Sequence, residues 1–228
     1  MTPQDHLIEP SPVAGVPVFP PGKISEQQFA ASCDEDTRAE WVDGEVLMMS
    51  PANLEHCDLE AWLLSLLRML VEQHDLGIVL SEAQVRLSKQ RSLRVPDIWF
   101  LSNQRRALLR ATHLDGPPDL IVEIVSPDSE ARDWREKYIE YQAAGVREYW
   151  VIDPMSQHVE AYALPEGSPG EEPAPGSQYV RLEERDGFIT SAVLPMLRLR
   201  TAWLWPETRP KVLDSLRELS APGMSRGG

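Results

Sequence analysis

Apolar residues along this chain fall into two patterns, one with helical spacing and one with the alternation or continuity of buried strands. Leu59, Trp62, Leu63, Leu66, Leu67 and Leu70 recur at steps of three and four, which predicts a long core helix from Asn53 to about His74, introduced by Pro51. Ser25 can cap a short helix through about Cys33. The segment AEWVDGEVLM, Ala39 to Met48, reads as a hairpin whose Asp43-Gly44 pair suits a two-residue turn. In that register Val42 faces Glu45 and Glu40 faces Leu47, so Glu40 and Glu45 share one face.

Three strand candidates follow, around Ile78 to Leu87, Arg94 to Leu101 and Leu120 to Ser126. A helix then runs from Ser129 to Ala144 and stops at Gly145, a residue suited to the left-handed cap position. EYWVID, Glu148 to Asp153, is a strand ended by Pro154, and Val159 to Leu164 pairs with Gln178 to Leu182 as a late hairpin around the loose insert Pro165 to Ser177. A short helix near Lys211 to Leu219 closes the pattern. The order predicts an α/β domain with a mixed central sheet flanked by helices. Residues 1–22, with Pro3, Pro10, Pro12, Pro17, Pro20 and Pro21, read as a flexible arm; 23–204 form the domain, and 205–228 a terminal helix and tail.

Composition narrows the picture. A chain of 228 residues, 42% of them hydrophobic, can bury one good-sized core. No apolar run approaches the roughly 20 residues that span a bilayer, and the N-terminus lacks a charged segment followed by an apolar one, so the expected location is the cytoplasm. Cys33 and Cys57 have neither CxxC spacing nor a Cys/His cluster around them, which argues against a disulfide framework and structural zinc. The net charge of −14 disfavours indiscriminate binding to nucleic acid. Locally that charge reverses, since Arg86, Lys89, Arg91, Arg94, Arg105, Arg106 and Arg110 stand against the single acid Asp97. Such a stretch is either a pair of solvated loops or a phosphate-facing surface.

Two strings carry the candidate chemistry. RVPDIWF (Arg94 to Phe100) and PPDLIVEIVS (Pro117 to Ser126) set Asp97 and Glu123 inside apolar, strand-type runs. A carboxylate in such company must be paired, protonated or bound to a metal, because burying it bare costs on the order of several kcal/mol. Asp119 and Glu123 lie four residues apart on one strand, ~13 Å at ~3.3 Å per residue, too far to share an ion bound at ~2.1 Å. Asp97 is therefore the better partner, and Asp119 reads as a strand-entry residue. On the helix that follows, Trp134, Lys137, Tyr138 and Tyr141 fall on one face. Lys137 has two candidate partners there: Asp133 at i−4, or the acid pair. His56 lies on the inward face of the long helix, either as a core histidine or as a functional one.

Taken together, the segments EWVDGE (40–45), SPANLEH (50–56), VPDI (95–98), PDLIVEIVSP (118–127), DWREK (133–137) and AGVREYWVIDP (144–154) resemble the Uma-two family of restriction-endonuclease-like domains, within the PD-(D/E)XK nuclease superfamily. The likeness runs from about Phe29 to Leu199. It implies a restriction-endonuclease-like core acting as a metal-dependent phosphodiesterase, in which Asp97 and Glu123 would hold Mg²⁺ (or Mn²⁺), with the main-chain carbonyl of Ile124 as a further ligand. The superfamily's lysine belongs two residues after the acid, where this chain has Val125; Lys137 on the following helix matches the family's substitute. Glu45 and His56 match family positions as secondary members of the site. The function this implies is hydrolysis of nucleic acid, foremost as a DNA endonuclease. A nuclease fold serving only as a binding or assembly module is the alternative, motivated by the acidic charge and by Val125. A hydrolase of small phosphorylated substrates is a third reading, and no glycine-rich phosphate loop supports it. Seven tryptophans leave apolar material for a homodimer interface.

Overall fold

The computed structural model describes residues 19–34, 37–49, 52–87, 91–125, 132–165 and 176–221. The expected N-terminal arm up to residue 18, Ser50, Pro51, Lys89, the segment 126–131, most of the insert and the tail from 222 lie outside them, as do the side chains of Arg132 and Asp133. In chain order the elements are α1 (Glu26–Ser32), β1 (Ala39–Val42), β2 (Glu45–Met48), α2 (Leu54–Gln73), β3 (Gly77–Ser81), β4 (Val85–Leu87), β5 (Ser92–Arg94) and β6 (Ile98–Ser102). A 3-10 turn (Asn103–Leu108) leads to β7 (Leu114–Asp115), β8 (Leu120–Ile124), α3 (Arg132–Ala144), β9 (Glu148–Asp153), β10 (His158–Ala163) and β11 (Val180–Arg181). The chain ends in β12 (Phe188–Thr190), β13 (Arg198–Arg200), a second 3-10 turn and α4 (Val212–Leu219).

The expected mixed central sheet is present, in the order β11-β10-β9-β8-β6-β3, with β8 and β9 parallel and the other pairs antiparallel. A parallel pair needs a crossover, and α3 supplies it. Alternation along the strands then sorts two cores. Ile98, Phe100, Leu120, Val122, Ile124, Trp150 and Ile152 face α2, while Trp99, Leu101, Ile121, Tyr149 and Val151 face Tyr141 of α3. On α2 the leucines at 59, 63, 66, 67 and 70 are buried as their spacing requires, each worth about 1.5–3 kcal/mol relative to exposure. The helix is capped by Asn53, whose side chain accepts from the His56 N–H at 2.8 Å.

A second sheet, β2-β1-β5-β4-β7, stands beside the first. Its hairpin has the expected register, Glu40 opposite Leu47 and Val42 opposite Glu45. Asp43 (φ 45) and Gly44 (φ 93) both take the left-handed conformation of a tight hairpin turn. Two strand candidates divide between the sheets instead of running through. The first breaks into β3 and β4 where Glu82 adopts φ 47. The second breaks into β5 and β6 at Val95-Pro96, because proline has no N–H to continue a ladder. Each break carries the chain from one sheet to the other, and the second delivers Asp97 to the entrance of β6. The small β12/β13 hairpin and β7 have no counterpart among the sequence expectations.

Helix α3 is seated by aromatic packing. All five tyrosines of the chain form one connected group: Tyr138 with Tyr162 (4.9 Å between ring centroids) and Tyr179 (5.3 Å), and Tyr141 with Tyr149 (5.2 Å), which continues to Tyr179 (6.3 Å). Such pairs add about 0.5–1.5 kcal/mol each beyond their burial. Gly145 (φ 86) ends the helix as expected, donating to the Tyr141 carbonyl at 3.1 Å.

Candidate active site

The antiparallel register that pairs Ile98 with Val122 sets Asp97, one residue before β6, opposite Glu123. Side-chain alternation puts Glu123 on the α3 face with Ile121, whereas Asp97, just ahead of the regular strand, is oriented by its contacts to the Ile124 N–H and to His56 of α2. Asp97 Oδ2 accepts the Ile124 N–H at 2.6 Å, so the carboxylate takes over as acceptor where the β6 backbone has not yet begun. Its Oδ1 lies 3.3 Å from His56 Nε2, which is also 3.8 Å from Glu60 on the next turn of α2.

Glu123 is held from α3. Lys137 Nζ donates to Oε2 at 3.1 Å and Tyr141 OH to Oε1 at 2.7 Å. Lys137 and Tyr141 are four residues apart, hence neighbours on one helix face. Of the two candidate partners for Lys137, the acid pair has this contact; the Asp133 side chain lies outside the described residues. Trp134, expected on the same stripe, is 38% exposed. The sheet-facing stripe of α3 centres on positions 137 and 141, so the first turn is left outside.

A third acid joins from the hairpin. Glu40 accepts from Arg94 Nη1 at 2.8 Å and from the Val95 N–H at 2.9 Å. Arg94, only 1% exposed, spans from Glu40 to Glu140 of α3, reaching Glu140 Oε2 at 2.5 Å through Nη2; Ser92 also donates to Glu140. The other expected hairpin acid, Glu45, is not brought here. Its side chain is 64% exposed and lies 3.7 Å from Lys23. Shared face is not shared place: Glu45 sits at the turn end of β2, two residues (~7 Å) beyond the position opposite Glu40.

Electrostatics follow the geometry. Burial drives the Glu123 carboxyl well above its usual range; Lys137 opposes that shift, and the negative charges of Asp97 and Glu40 reinforce it. Burial would raise Glu40 too, but Lys137, Arg94 and the Val95 N–H hold it below the ordinary value. Burial lowers the His56 imidazole, and Asp97 and Glu60 more than compensate, leaving it raised. Five acids, Glu40, Glu60, Asp97, Glu123 and Glu140, thus stand around two permanent cations, Arg94 and Lys137, and the imidazole of His56. Among the described residues no three carboxylate, imidazole or thiol groups converge as a ready-made metal site. Asp97 and Glu123 supply hard oxygen donors, the type that divalent ions such as Mg²⁺ take.

The remaining expectations find definite places. Asp119 is buried at the other end of β8, where it accepts from the Ser102 N–H at 2.7 Å and pairs with Arg105 at 3.1 Å. The basic stretch is largely neutralised by local acids: Arg86 by Glu26 (2.8 Å), Arg91 by Asp43 (2.9 Å), Arg105 by Asp119 and Arg110 by Asp115 (3.1 Å). Arg94 instead enters the site. No helix among the described residues is long and apolar enough to cross a membrane. Glu40, Arg94 and Glu140 were not selected from sequence as site residues. The signal for Glu40 was present in the hairpin register, whereas Arg94 and Glu140 meet only through tertiary packing.

Comparison with known proteins agrees with this architecture. Residues 26–202 match the model of the Uma2 family, described as "Putative restriction endonuclease". A crystal structure of a "putative nuclease belonging to DUF820" from Anabaena variabilis ATCC 29413 superposes with a TM-score of 0.64 at 18% identity, covering 79% of this chain and 97% of the other. At that identity the likeness concerns the fold. No curated protein matches the chain. On the family match, the chain belongs to the Uma2 family.

Proposed function

We propose that this Uma2 chain is a metal-dependent nuclease that hydrolyses phosphodiester bonds, with DNA as the substrate and internal cleavage as the mode. The observation that carries the reading is the placement of Asp97 at the entrance of β6, accepting the N–H of Ile124 next to Glu123 on β8 at 2.6 Å, with Lys137 3.1 Å from Glu123. Asp97 and Glu123 would hold Mg²⁺ (or Mn²⁺). An extended residue directs its N–H and C=O to the same neighbour; since the Ile124 N–H points to Asp97, the Ile124 carbonyl is turned to that side and can serve as a third ligand. The ion, when bound, lowers the pKa of a coordinated water and neutralises charge on the leaving oxygen.

The chain's own residues do the rest. Lys137 orients the attacking water and offsets charge that develops on the phosphorus oxygens, the role for which the superfamily keeps a lysine at the position filled here by Val125. Tyr141 fixes the second oxygen of Glu123, so that carboxylate cannot rotate away. His56, held through Nε2 beside Asp97, is placed to pass a proton to or from the reacting groups. Glu45 stands outside the cluster and takes no part.

The test is direct. Purified protein with Mg²⁺ or Mn²⁺ is incubated with single- and double-stranded DNA and RNA, and new ends are quantified. The reading requires metal-dependent cleavage that falls at least about a hundredfold in Asp97→Ala and Lys137→Met. It fails if every substrate stays intact or if Asp97→Ala cuts as well as the native chain. Glu123-dependent metal binding without cleavage would point to the binding-module alternative.

A further inference from the structure

We propose that Arg38 is a phosphate-binding residue at the rim of this site, and that Glu82 holds its guanidinium in the free protein until a nucleic-acid phosphate replaces the carboxylate. The inference rests on the nuclease reading and names a residue that meets the substrate's backbone. The site crowds acids together, with Glu60 and Asp97 beside His56 and Glu123 beside Lys137, in a chain of net charge −14. A polyanion that approaches is repelled unless a cation stands at the opening. Arginine suits that place, because its planar fork takes a phosphate through two parallel hydrogen bonds.

Connectivity puts Arg38 there. Its Nη1 is ion-paired with Glu82 Oε1, and the Glu82 N–H donates to the Asp97 carbonyl at 3.3 Å, continuing the β3/β6 pairing of Ser81 with Ile98. From the other sheet, the β1/β5 register of Trp41 with Leu93, carried on past the start of β1, brings Arg38 level with Pro96. Two elements thus converge on the segment that delivers Asp97, and their charged side chains meet there. Exposure rises outward along these contacts: the side chains of His56 and Asp97 are 9% and 13% exposed, that of Glu82 43% and that of Arg38 67%. The ion pair therefore lies on the solvent side of the acids. A pair this exposed is weak, so a phosphate that accepts from both arms of the fork can displace the carboxylate. Glu82 also holds φ 47, a left-handed conformation that costs a glutamate more than it would a glycine. A glutamate at that position fits a carboxylate kept there to hold Arg38.

The experiment titrates a fluorescein-labelled DNA oligonucleotide, single- or double-stranded, with the full chain and its variants, by anisotropy at several salt concentrations with Ca²⁺ in place of Mg²⁺. Arg38→Gln and Glu82→Gln each remove one charge of the rim pair. Arg68→Gln and Glu72→Gln are the controls, since that exposed pair (2.9 Å) has the same charges but Arg68 lies twelve residues beyond His56 on α2, ~18 Å along the helix. Arg38→Gln should weaken binding at least about fivefold and make the salt dependence shallower by about one unit of slope. Glu82→Gln should tighten binding at least about threefold, because the competing anion is gone, while both controls stay within about twofold. Opposite signs from the two halves of one ion pair are not what a merely structural pair would give. A smaller loss in Arg38→Gln, or a Glu82→Gln that fails to gain, overturns the proposal, as does a native chain that binds no oligonucleotide. Cleavage by the native chain with binding indifferent to Arg38 overturns this inference alone. Binding that depends on Arg38 without cleavage in Mg²⁺ or Mn²⁺ overturns the nuclease reading and keeps the phosphate site.

Discussion

Replacing Arg94 by methionine removes a guanidinium that joins β1, β5 and α3, and the structure sets the expected cost. Arg94 is 1% exposed and makes bonds of 2.8 Å to Glu40, and of 3.0 and 2.5 Å to Glu140. Methionine fills comparable space, so the cavity contribution is small and the loss is electrostatic. Removing one partner of a buried ion pair costs about 3–5 kcal/mol because the remaining charge is left uncompensated. Two carboxylates are left here, which pushes the cost up. Ser92 and the Val95 N–H still donate, which brings it down. We expect a net destabilisation of about 3–4 kcal/mol, a large share of the roughly 5–15 kcal/mol that holds a domain folded. Urea unfolding followed by tryptophan fluorescence reads it as a lower midpoint at unchanged slope. The triple substitution Arg94→Met, Glu40→Gln, Glu140→Gln removes the stranded charges and should regain most of the loss. A single-variant cost below about 1 kcal/mol, the level of an exposed ion pair, would refute the buried network.

Two further outcomes follow from other buried acids. Glu148 is fully buried and accepts from Trp150 Nε1 (2.5 Å), Ser191 Oγ (3.0 Å) and the N–H groups of Ala192 (2.6 Å) and Val193 (2.8 Å); Glu148→Ala strands these donors and should cost about 3 kcal/mol or more in the same unfolding assay, with Glu148→Gln clearly milder. For pH, burial raises the folded-state values of Glu123 and Glu148. Their contribution to stability is therefore full below the unfolded carboxylate value of about 4.3 and is lost as pH rises through the raised folded values. Ionised Glu123 is the form that binds a cation, so the rise in thermal midpoint produced by Mn²⁺ should grow from about pH 5 to about pH 8 and vanish in Glu123→Gln. A pH-independent rise would contradict this.

Much of this site was legible because its main members sit in strongly patterned segments. Asp97 and Glu123 interrupt apolar strands, the antiparallel register joins them, and offsets of three, four and seven put Lys137 on the inward face of its helix. What sequence left obscure depends on where elements end. Alternation correctly put Glu40 and Glu45 on one face, but only the position of the sheet edge decides that Glu40 is covered and Glu45 exposed. Two long apolar runs read as continuous strands because the pattern does not record the left-handed Glu82 or which sheet follows Pro96. The basic stretch left solvated loops and a phosphate-facing surface both open, and acids from distant sequence positions, such as Glu26 for Arg86, neutralise much of it. The three-residue strands β12 and β13 are too short to impose any period.

In the proposed mechanism Asp97 and Glu123 form one cation site attended by Lys137. A crystal structure of the protein with Mn²⁺, measured for anomalous signal, decides whether that site exists. A single strong peak is expected about 2.1–2.3 Å from carboxylate oxygens of both Asp97 and Glu123 and from the Ile124 carbonyl, with Lys137 Nζ still beside Glu123. An absent peak, or one on other acids while Asp97 and Glu123 keep their present partners, would contradict it.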